Sequence, residues 1–341
     1  MKLYLEKIME HENLTFEEMT MAANQLFSPE ISDSEMGAFL AALKLKGETA
    51  EEIAGLVEVI RGKSLQMDLP FSSIMDNCGT GGDGSGSFNI STTSAFVIAG
   101  AGMKIAKHGN RSVSSKTGSA DVLEHLGVSL NLDRHQIADI LDKNGIAFLF
   151  APNVHPHIKR IMKVRRDLKI PTIFNLIGPL TNPAPLDTQL LGIYRRDMLQ
   201  MMADVLKQLG RKRALVINGA GYMDEASLSG ENHLVLLNEG SITRFVLTPD
   251  DVGMPHYEKE AIRGGDSREN ADILVRVLKG EEGAYRDTVL LNAGLGIFAS
   301  GVAGTIKEGI ALAKQSIDSG AAMEKLNYLV EYSKHSTKEV I

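Results

Sequence analysis

The stretch Asp76-Asn-Cys-Gly-Thr-Gly-Gly-Asp-Gly84, followed closely by Asn89-Ile-Ser-Thr92, is the part of this chain best equipped for chemistry. Gly79, Gly81, Gly82 and Gly84 stand at the end of a short apolar segment, and the Asn/Ser/Thr cluster opens an Ala-, Val- and Ile-rich helix. Glycine lets a backbone turn sharply and approach a ligand closely. A helix N-terminus adds unpaired N–H groups and a partial positive charge. Together they form a cradle for an anion, most often a phosphate; the plainer alternative is a glycine-rich turn that binds nothing. The glycine spacing also satisfies the dinucleotide fingerprint, but that site needs an acidic residue about 20 residues further on. Lys107-His-Gly-Asn-Arg111 stands there instead, with the wrong sign of charge.

That basic segment packs three potential cations and an amide around a glycine, after an expected strand, where the loops of a parallel sheet build sites. By itself it could equally be a solvated loop. Ser114-Ser-Lys-Thr-Gly-Ser-Ala-Asp121 then enters a helix. It lacks the glycine before Lys116 that a P-loop requires, yet its hydroxyls and helix start suit a second phosphate. The alternative is an ordinary cap by Ser119 or Thr117. Asp224-Glu225 follows another expected strand and a glycine-bearing loop. Adjacent carboxylates are usually surface charges, but beside a polyphosphate they are what Mg²⁺ needs. His155-Pro-His157 is too closely spaced and too short of partners for a zinc site. Cys78 reads as a small buried side chain at a strand end, and no Gly-x-Ser-x-Gly elbow is present. The residues alone therefore point to a phosphate-handling enzyme with Mg²⁺, acting on a substrate with a diphosphate and a separate monophosphate.

The elements that must position these groups follow from periodicity. Residues 1–69 read as helices only, started by capping boxes at Thr15/Glu18, Ser32/Glu35 and Thr49/Glu52. From about residue 70, expected strands at Ser73–Asn77, Met103–Lys107, Ile146–Phe150, Arg213–Asn218, His233–Leu237 and around Thr243–Leu247 alternate with helices at Ser91–Gly100, Ser119–Leu126, Asp133–Asn144 and Met198–Leu209. Such alternation implies a largely parallel α/β sheet, with the strands near 233–247 as an antiparallel addition. Ala271–Lys279, Thr288–Ser300 and Ile306–Ser319 read as further helices. Residues 171–189 hold four prolines and read as a rigid connector, a hinge or a site wall.

At 341 residues the chain can form one large domain, or a large and a small one. Its net charge of −7 argues against a general binder of nucleic acid or membrane surfaces. A lone cysteine rules out an internal disulfide. With no signal-like N-terminus and no apolar stretch long enough to span a bilayer, a cytoplasmic address is expected.

Taken together, Gly79–Asp83, Asn89–Thr92, Lys107–Arg111, Gly118-Ser-Ala-Asp-Val-Leu-Glu124, Phe174-Asn-Leu-Ile-Gly-Pro-Leu-Thr-Asn-Pro183 and Asp224-Glu225 resemble the anthranilate phosphoribosyltransferases, in order and spacing, over essentially the whole chain. The resemblance implies transfer of phosphoribose from phosphoribosyl diphosphate to the amine of anthranilate, in tryptophan biosynthesis. It implies that Gly79, Thr80, Gly81, Gly82 and Asp83, with Asn89, Ile90, Ser91 and Thr92, hold the diphosphate and ribose. Lys107 and Ser119 would contact phosphates, and Ser91, Asp224 and Glu225 would bind Mg²⁺. Gly79, His108, Asn110, Arg165 and Gly178 would face anthranilate, with His155 and Pro179 as walls and Arg165 as the carboxylate clamp. The implied fold is a small all-helical domain (1–69, completed by 165–186) and a large α/β domain (70–164 and 187–341) with a mostly parallel central sheet and a helical C-terminal part. Hinges are expected near 70, 165 and 187, and the helical stripes of the first domain become candidate homodimer surfaces. One departure stands out: where the family often has Gly-x-Arg-Thr after the Arg165-Arg166-Asp167-Leu168 segment, this chain has Lys169-Ile-Pro-Thr172, with Pro171 in place of the arginine. Two alternatives remain at this level. A pyrimidine nucleoside phosphorylase would share the glycine loop without Lys-His-Gly-Asn-Arg, and a nucleic-acid-binding paralogue would have a basic surface and degraded motifs.

Overall fold

The computed structural model describes residues 1–67, 69–111 and 117–336. Strands β1 (Ile74–Gly79), β2 (Lys104–Gly109), β3 (Ile146–Phe150), β4 (Thr188–Gly192), β5 (Arg213–Asn218), β6 (Asn232–Asn238) and β7 (Ser241–Leu247) form one sheet in the order β3-β2-β1-β4-β5-β6-β7. Pairing is parallel from β3 to β5 and antiparallel for β6 and β7. From β1 the chain first builds outward through β2 and β3, then returns to lay β4 on the other side. That reversal places a crevice at the carboxyl ends of β1 and β4, where open α/β sheets bind ligands.

Side chains alternate across the sheet into two cores. Leu190, Leu215, Ile217 and Leu234 face the core shared with helices Ile90–Gly100 and Ala284–Ser300. Leu191, Ala214, Val216 and Val235 face the one built from helix Leu199–Gln208 and the N-terminal helices. Those N-terminal helices start where the capping residues stand: the hydroxyls of Thr15, Ser32 and Thr49 accept from the amides of Glu18, Glu35 and Glu52, and each glutamate reaches back. A cap of this kind stabilises a helix by about 1 kcal/mol.

Three elements differ from the sequence expectation. β4, at which no strand was expected, starts at the end of the proline-rich connector. It is short and buried on both faces, so it lacks the alternation that reveals a half-exposed strand. β2 runs on to Gly109, two residues past the expected end at Lys107, so His108 projects from a strand rather than a loop. A further helix, Ala321–Ser336, closes the C-terminal part.

Helix Lys159–Leu168 ends on Lys169 at φ 53°, ψ 26°, the left-handed conformation that favours glycine. The departure from Gly-x-Arg-Thr therefore carries a backbone cost. Lys169→Gly is expected to raise unfolding free energy by about 0.5–1 kcal/mol in urea titrations, the strain relieved less the entropy glycine adds to the unfolded chain. A lower midpoint in the variant would contradict this.

Candidate active site

The carboxylate pair lies across the carboxyl ends of β1, β4 and β5. Gly79 and Gly192, neighbours in register, leave the space it occupies: a Cβ on Gly79 would collide with the Asp224 carboxylate, and one on Gly192 with the Asp224 carbonyl. Gly79 thus makes room for Asp224. The glycine loop beyond it then closes over the pair, for Gly81 N donates to Asp224 Oδ2 at 2.6 Å. Asp83 joins them, its Oδ2 accepting from Asp224 N at 3.3 Å. Glu225 Oε1 accepts from Ser91 N at 3.0 Å, in the first turn of helix Ile90–Gly100, while Oε2 is buried without a partner. Burial and then Asp83 push the Asp224 carboxyl up to about 7; burial and then Asp224 push Glu225 well above the usual range.

Lys107 is the cation of this edge. It is 3% exposed, and its Nζ donates to Asn77 O at 3.1 Å, while Asn77 Nδ2 donates to Ser91 O at 2.8 Å. The other two basic residues of its segment contribute little charge. Arg111 is bound by Asp121 at 2.9 Å and Glu124 at 2.5 Å, and His108 is buried and held neutral. Asn110 is exposed, with Oδ1 accepting from Arg111 N at 2.8 Å. Ser114, Ser115 and Lys116 of the expected second cradle lie outside the described residues. Ser119 opens helix Ser119–His125 behind Gly118 as its cap, and its Oγ donates to Asn110 O at 3.3 Å. Asn89 caps helix Ile90–Gly100 by position only; its Oδ1 accepts from Asn270 at 2.8 Å. Ile90 is buried, and so is the Thr92 hydroxyl, which has no partner. Thr80 N donates to Gly192 O at 2.9 Å, and Gly81 and Gly82 both carry positive φ.

A second group stands apart from these charges. His108 Nε2 and His155 Nε2 are 3.2 Å apart with their rings edge to face, and the Gly178 backbone hydrogen-bonds the His108 ring. Gly178–Thr181 is a short 3₁₀ turn carrying Pro179. Arg165 is half-buried, its guanidinium 5.4 Å from the Phe174 ring centroid and its Nη2 donating to Asn175 Oδ1 at 3.3 Å. Among the described residues no carboxylate pairs with it, and burial lowers its pKa. An apolar wall with two neutral imidazoles and one unpaired guanidinium can receive a small aromatic carboxylate.

Comparison with known proteins decides between the readings this geometry leaves open. Residues 72–323 match the model "Glycosyl transferase family, a/b domain", and residues 2–64 match "Glycosyl transferase family, helical bundle domain". An anthranilate phosphoribosyltransferase of Exiguobacterium sibiricum is 62% identical over 329 residues, covering 96% of this chain and 97% of its own. The chain belongs to the anthranilate phosphoribosyltransferase family. A solved member from Thermus thermophilus is 40% identical, with a TM-score of 0.92 over 97% of this chain and 99% of its own. The Saccharomyces cerevisiae enzyme, solved in complex with PRPP and Mg, is 28% identical, with a TM-score of 0.85 over 94% of this chain and 92% of its own. Family membership sets aside the phosphorylase and the nucleic-acid-binding paralogue.

For an anthranilate phosphoribosyltransferase, several polar residues near the crevice were not evident from sequence. Gln189 and Asn270 sit in segments whose pattern gives no hint of a polar role, and Asn77 and Asn182, though inside stretches singled out above, were given no role of their own. Asp76 carried the one available signal, a charge inside an apolar strand. Cys78 is half-buried, and burial and then Asp76 push its thiol up to about 12, so it is no thiolate nucleophile.

The histidine pair has a consequence for acid stability. Burial and then His155 bring His108 down to about 3, and burial brings His155 down to about 4, from an ordinary 6.5. Below pH 6.5 the unfolded chain takes up protons that the folded pair refuses, so the stabilisation present above that pH is lost as pH falls towards 4 and 3. His155→Gln is expected to flatten the fall in melting temperature between pH 6.5 and 4; an unchanged slope would mean the imidazoles titrate normally.

Proposed function

We propose that this chain transfers the phosphoribosyl group from 5-phosphoribosyl 1-diphosphate to the amine of anthranilate, giving N-(5-phosphoribosyl)anthranilate and diphosphate in tryptophan biosynthesis. The observation that carries the reading is the division of labour at one sheet edge. A carboxylate cluster with Lys107 under a glycine loop lies at the switch point, the His108–His155 pair follows on β2, and Arg165, without a carboxylate partner among the described residues, lies over Phe174, a few residues before the Gly178 turn.

The loop Gly79–Asp83 and the helix start Asn89–Thr92 receive the diphosphate and ribose. Lys107 and Ser119 bind phosphate oxygens. Ser91, Asp224 and Glu225 hold Mg²⁺; the unpartnered Glu225 Oε2 and the mutual repulsion of the carboxylates fit a divalent cation. When bound, Mg²⁺ supplies neutralising charge to the leaving diphosphate. As the C1–diphosphate bond breaks, positive charge builds on the ribose and negative charge on the leaving group, and Lys107 and the loop amides meet the latter. Arg165 pairs with the anthranilate carboxylate as a planar fork, while Gly79, His108, Asn110, Gly178, Pro179 and His155 line the ring. The aromatic amine has its lone pair free at neutral pH, so positioning rather than a strong base brings it to C1.

The helical unit (1–69, completed by 165–186) closes on the α/β unit about hinges near 70, 165 and 187. Leu3, Met9, Met21 and Leu45, all exposed on the N-terminal helices, are suited to pairing two copies as a homodimer. No helix among the described residues is long and apolar enough to cross a membrane; with the lone Cys78 left as a free thiol, this supports action in the cytoplasm. Mass-spectrometric analysis of a reaction with both substrates and Mg²⁺ tests the activity: N-(5-phosphoribosyl)anthranilate and diphosphate are expected in equal amounts, and phosphoribosyl diphosphate recovered intact would refute it.

A further inference from the structure

The ladder between β1 and β2 is short. Residues pair at Ile74↔Lys104 and Met75↔Ile105 and no further, whereas β1 pairs with β4 through to Gly79 and β2 with β3 through to Gly109. Backbone groups of β1 and β2 in such a gap need other partners, because a buried unpaired amide or carbonyl is costly. Three side chains supply them: Lys107, whose Nζ serves Asn77 O, and the pair Asp76 and Asn182. Asp76 is 0% exposed; its Oδ1 accepts from Asn77 N at 2.8 Å and His108 N at 3.4 Å, and its Oδ2 accepts from Asn182 Nδ2 at 2.9 Å. Asn182, also buried, donates to Ala106 O at 2.7 Å and accepts from Ala184 N at 2.9 Å.

The same plug reaches the turn beside His108. Gly178–Thr181 joins no strand, and Asn182 follows it directly. Its other end is held from β4, where Gln189 Nε2 donates to Pro179 O at 2.6 Å, with Gln189 Oε1 accepting from the buried Arg211 at 3.1 Å. An apolar pair with a continued ladder would close the sheet without burying a carboxylate, an exchange that is often neutral or stabilising. What the carboxylate adds is a fixed relation between a β2 residue and a turn more than 70 residues away in sequence.

We propose that Asp76 is a positioning residue for the acceptor side of the reaction, holding the His108 backbone and, through Asn182, the Gly178–Pro179 wall in register with one another. It rests on the reading of that wall as the anthranilate pocket. Asp76 touches neither substrate, and its effect passes through the residues it holds. Asp76→Asn keeps an oxygen for the Asn77 and His108 amides but turns a donor towards Asn182 Nδ2, and so loosens the tie to the wall while keeping the side-chain shape.

Steady-state kinetics with each substrate varied is the test, with folding followed by circular dichroism. Asp76→Asn is expected to raise the anthranilate KM by about 10- to 100-fold and the KM for phosphoribosyl diphosphate by less, since the Asn77 amide keeps an acceptor. Asn182→Ser, a milder change, is expected to show the same split should Asp76→Asn fold poorly. Equal rises in both KM values or an unchanged anthranilate KM would overturn the proposal alone. A wild-type enzyme that does not consume anthranilate would overturn the pocket reading and the proposal with it.

Discussion

An Asp224→Asn enzyme is expected to lose about 10²- to 10³-fold in kcat while melting slightly higher than the wild type. Both effects come from one arrangement. Asp224, Glu225 and Asp83 crowd together, and burial with mutual repulsion raises the first two pKa values. Neutralising Asp224 removes a like charge from that crowd and leaves an amide oxygen to accept from Gly81 N. For these half-buried, water-screened groups the gain is about 1 kcal/mol, or roughly 2 °C in a chain of this size. The charge removed is the one proposed to hold Mg²⁺ against the leaving diphosphate, and losing one such stabilising group costs turnover on the order of 10²–10³. Glu225→Gln is expected to act in the same direction, with its bond from Ser91 N preserved. Kinetics at saturating substrate, paired with calorimetry, separate the outcomes. Wild-type turnover, or inactivity with a lower melting temperature, would show that the carboxylates hold the fold together rather than serve the reaction.

Arg165→Ala is expected to act mainly on the acceptor. A guanidinium stacked on Phe174, with no carboxylate partner among the described residues, is available to a substrate carboxylate. A charge-assisted hydrogen bond contributes about 1.5–3 kcal/mol, so the anthranilate KM should rise about 10- to 100-fold. The KM for phosphoribosyl diphosphate should barely move, because Arg165 lies outside the charged edge. Some loss of packing against Phe174 is expected as well, and Arg165→Met, which keeps the stem, separates that contribution. A normal anthranilate KM in the alanine variant would remove the clamp from the account.

How far these features were legible in sequence varies with the distance over which each is determined. Capping boxes at Thr15, Ser32 and Thr49 depend on residues three apart and formed as read. Strand ends marked by glycine were also legible, which is why Asp224-Glu225 could be placed beside the glycine loop. The neutralisation of Arg111 was not, since it requires Asp121 and Glu124 to fold back on it from the following helix. β4 was hidden by its neighbours: three prolines precede it within a few residues, and a five-residue strand buried on both faces shows no period. The packing need at Gly79 was hidden for the same reason, as only the folded chain brings Asp224 across its missing side chain. Nor could sequence reveal the Asp76–Asn182 tie, whose partners lie 106 residues apart.

The central claim is that the charged edge and the histidine–arginine wall serve one metal-dependent transfer between a diphosphate donor and an aromatic amine. The most direct measurement is the fluorescence of anthranilate followed after adding phosphoribosyl diphosphate, first with Mg²⁺ and then with excess chelator. The account predicts a steady loss of fluorescence that stops on chelation and resumes when Mg²⁺ is restored. No loss at all, or a loss indifferent to the chelator, would contradict it.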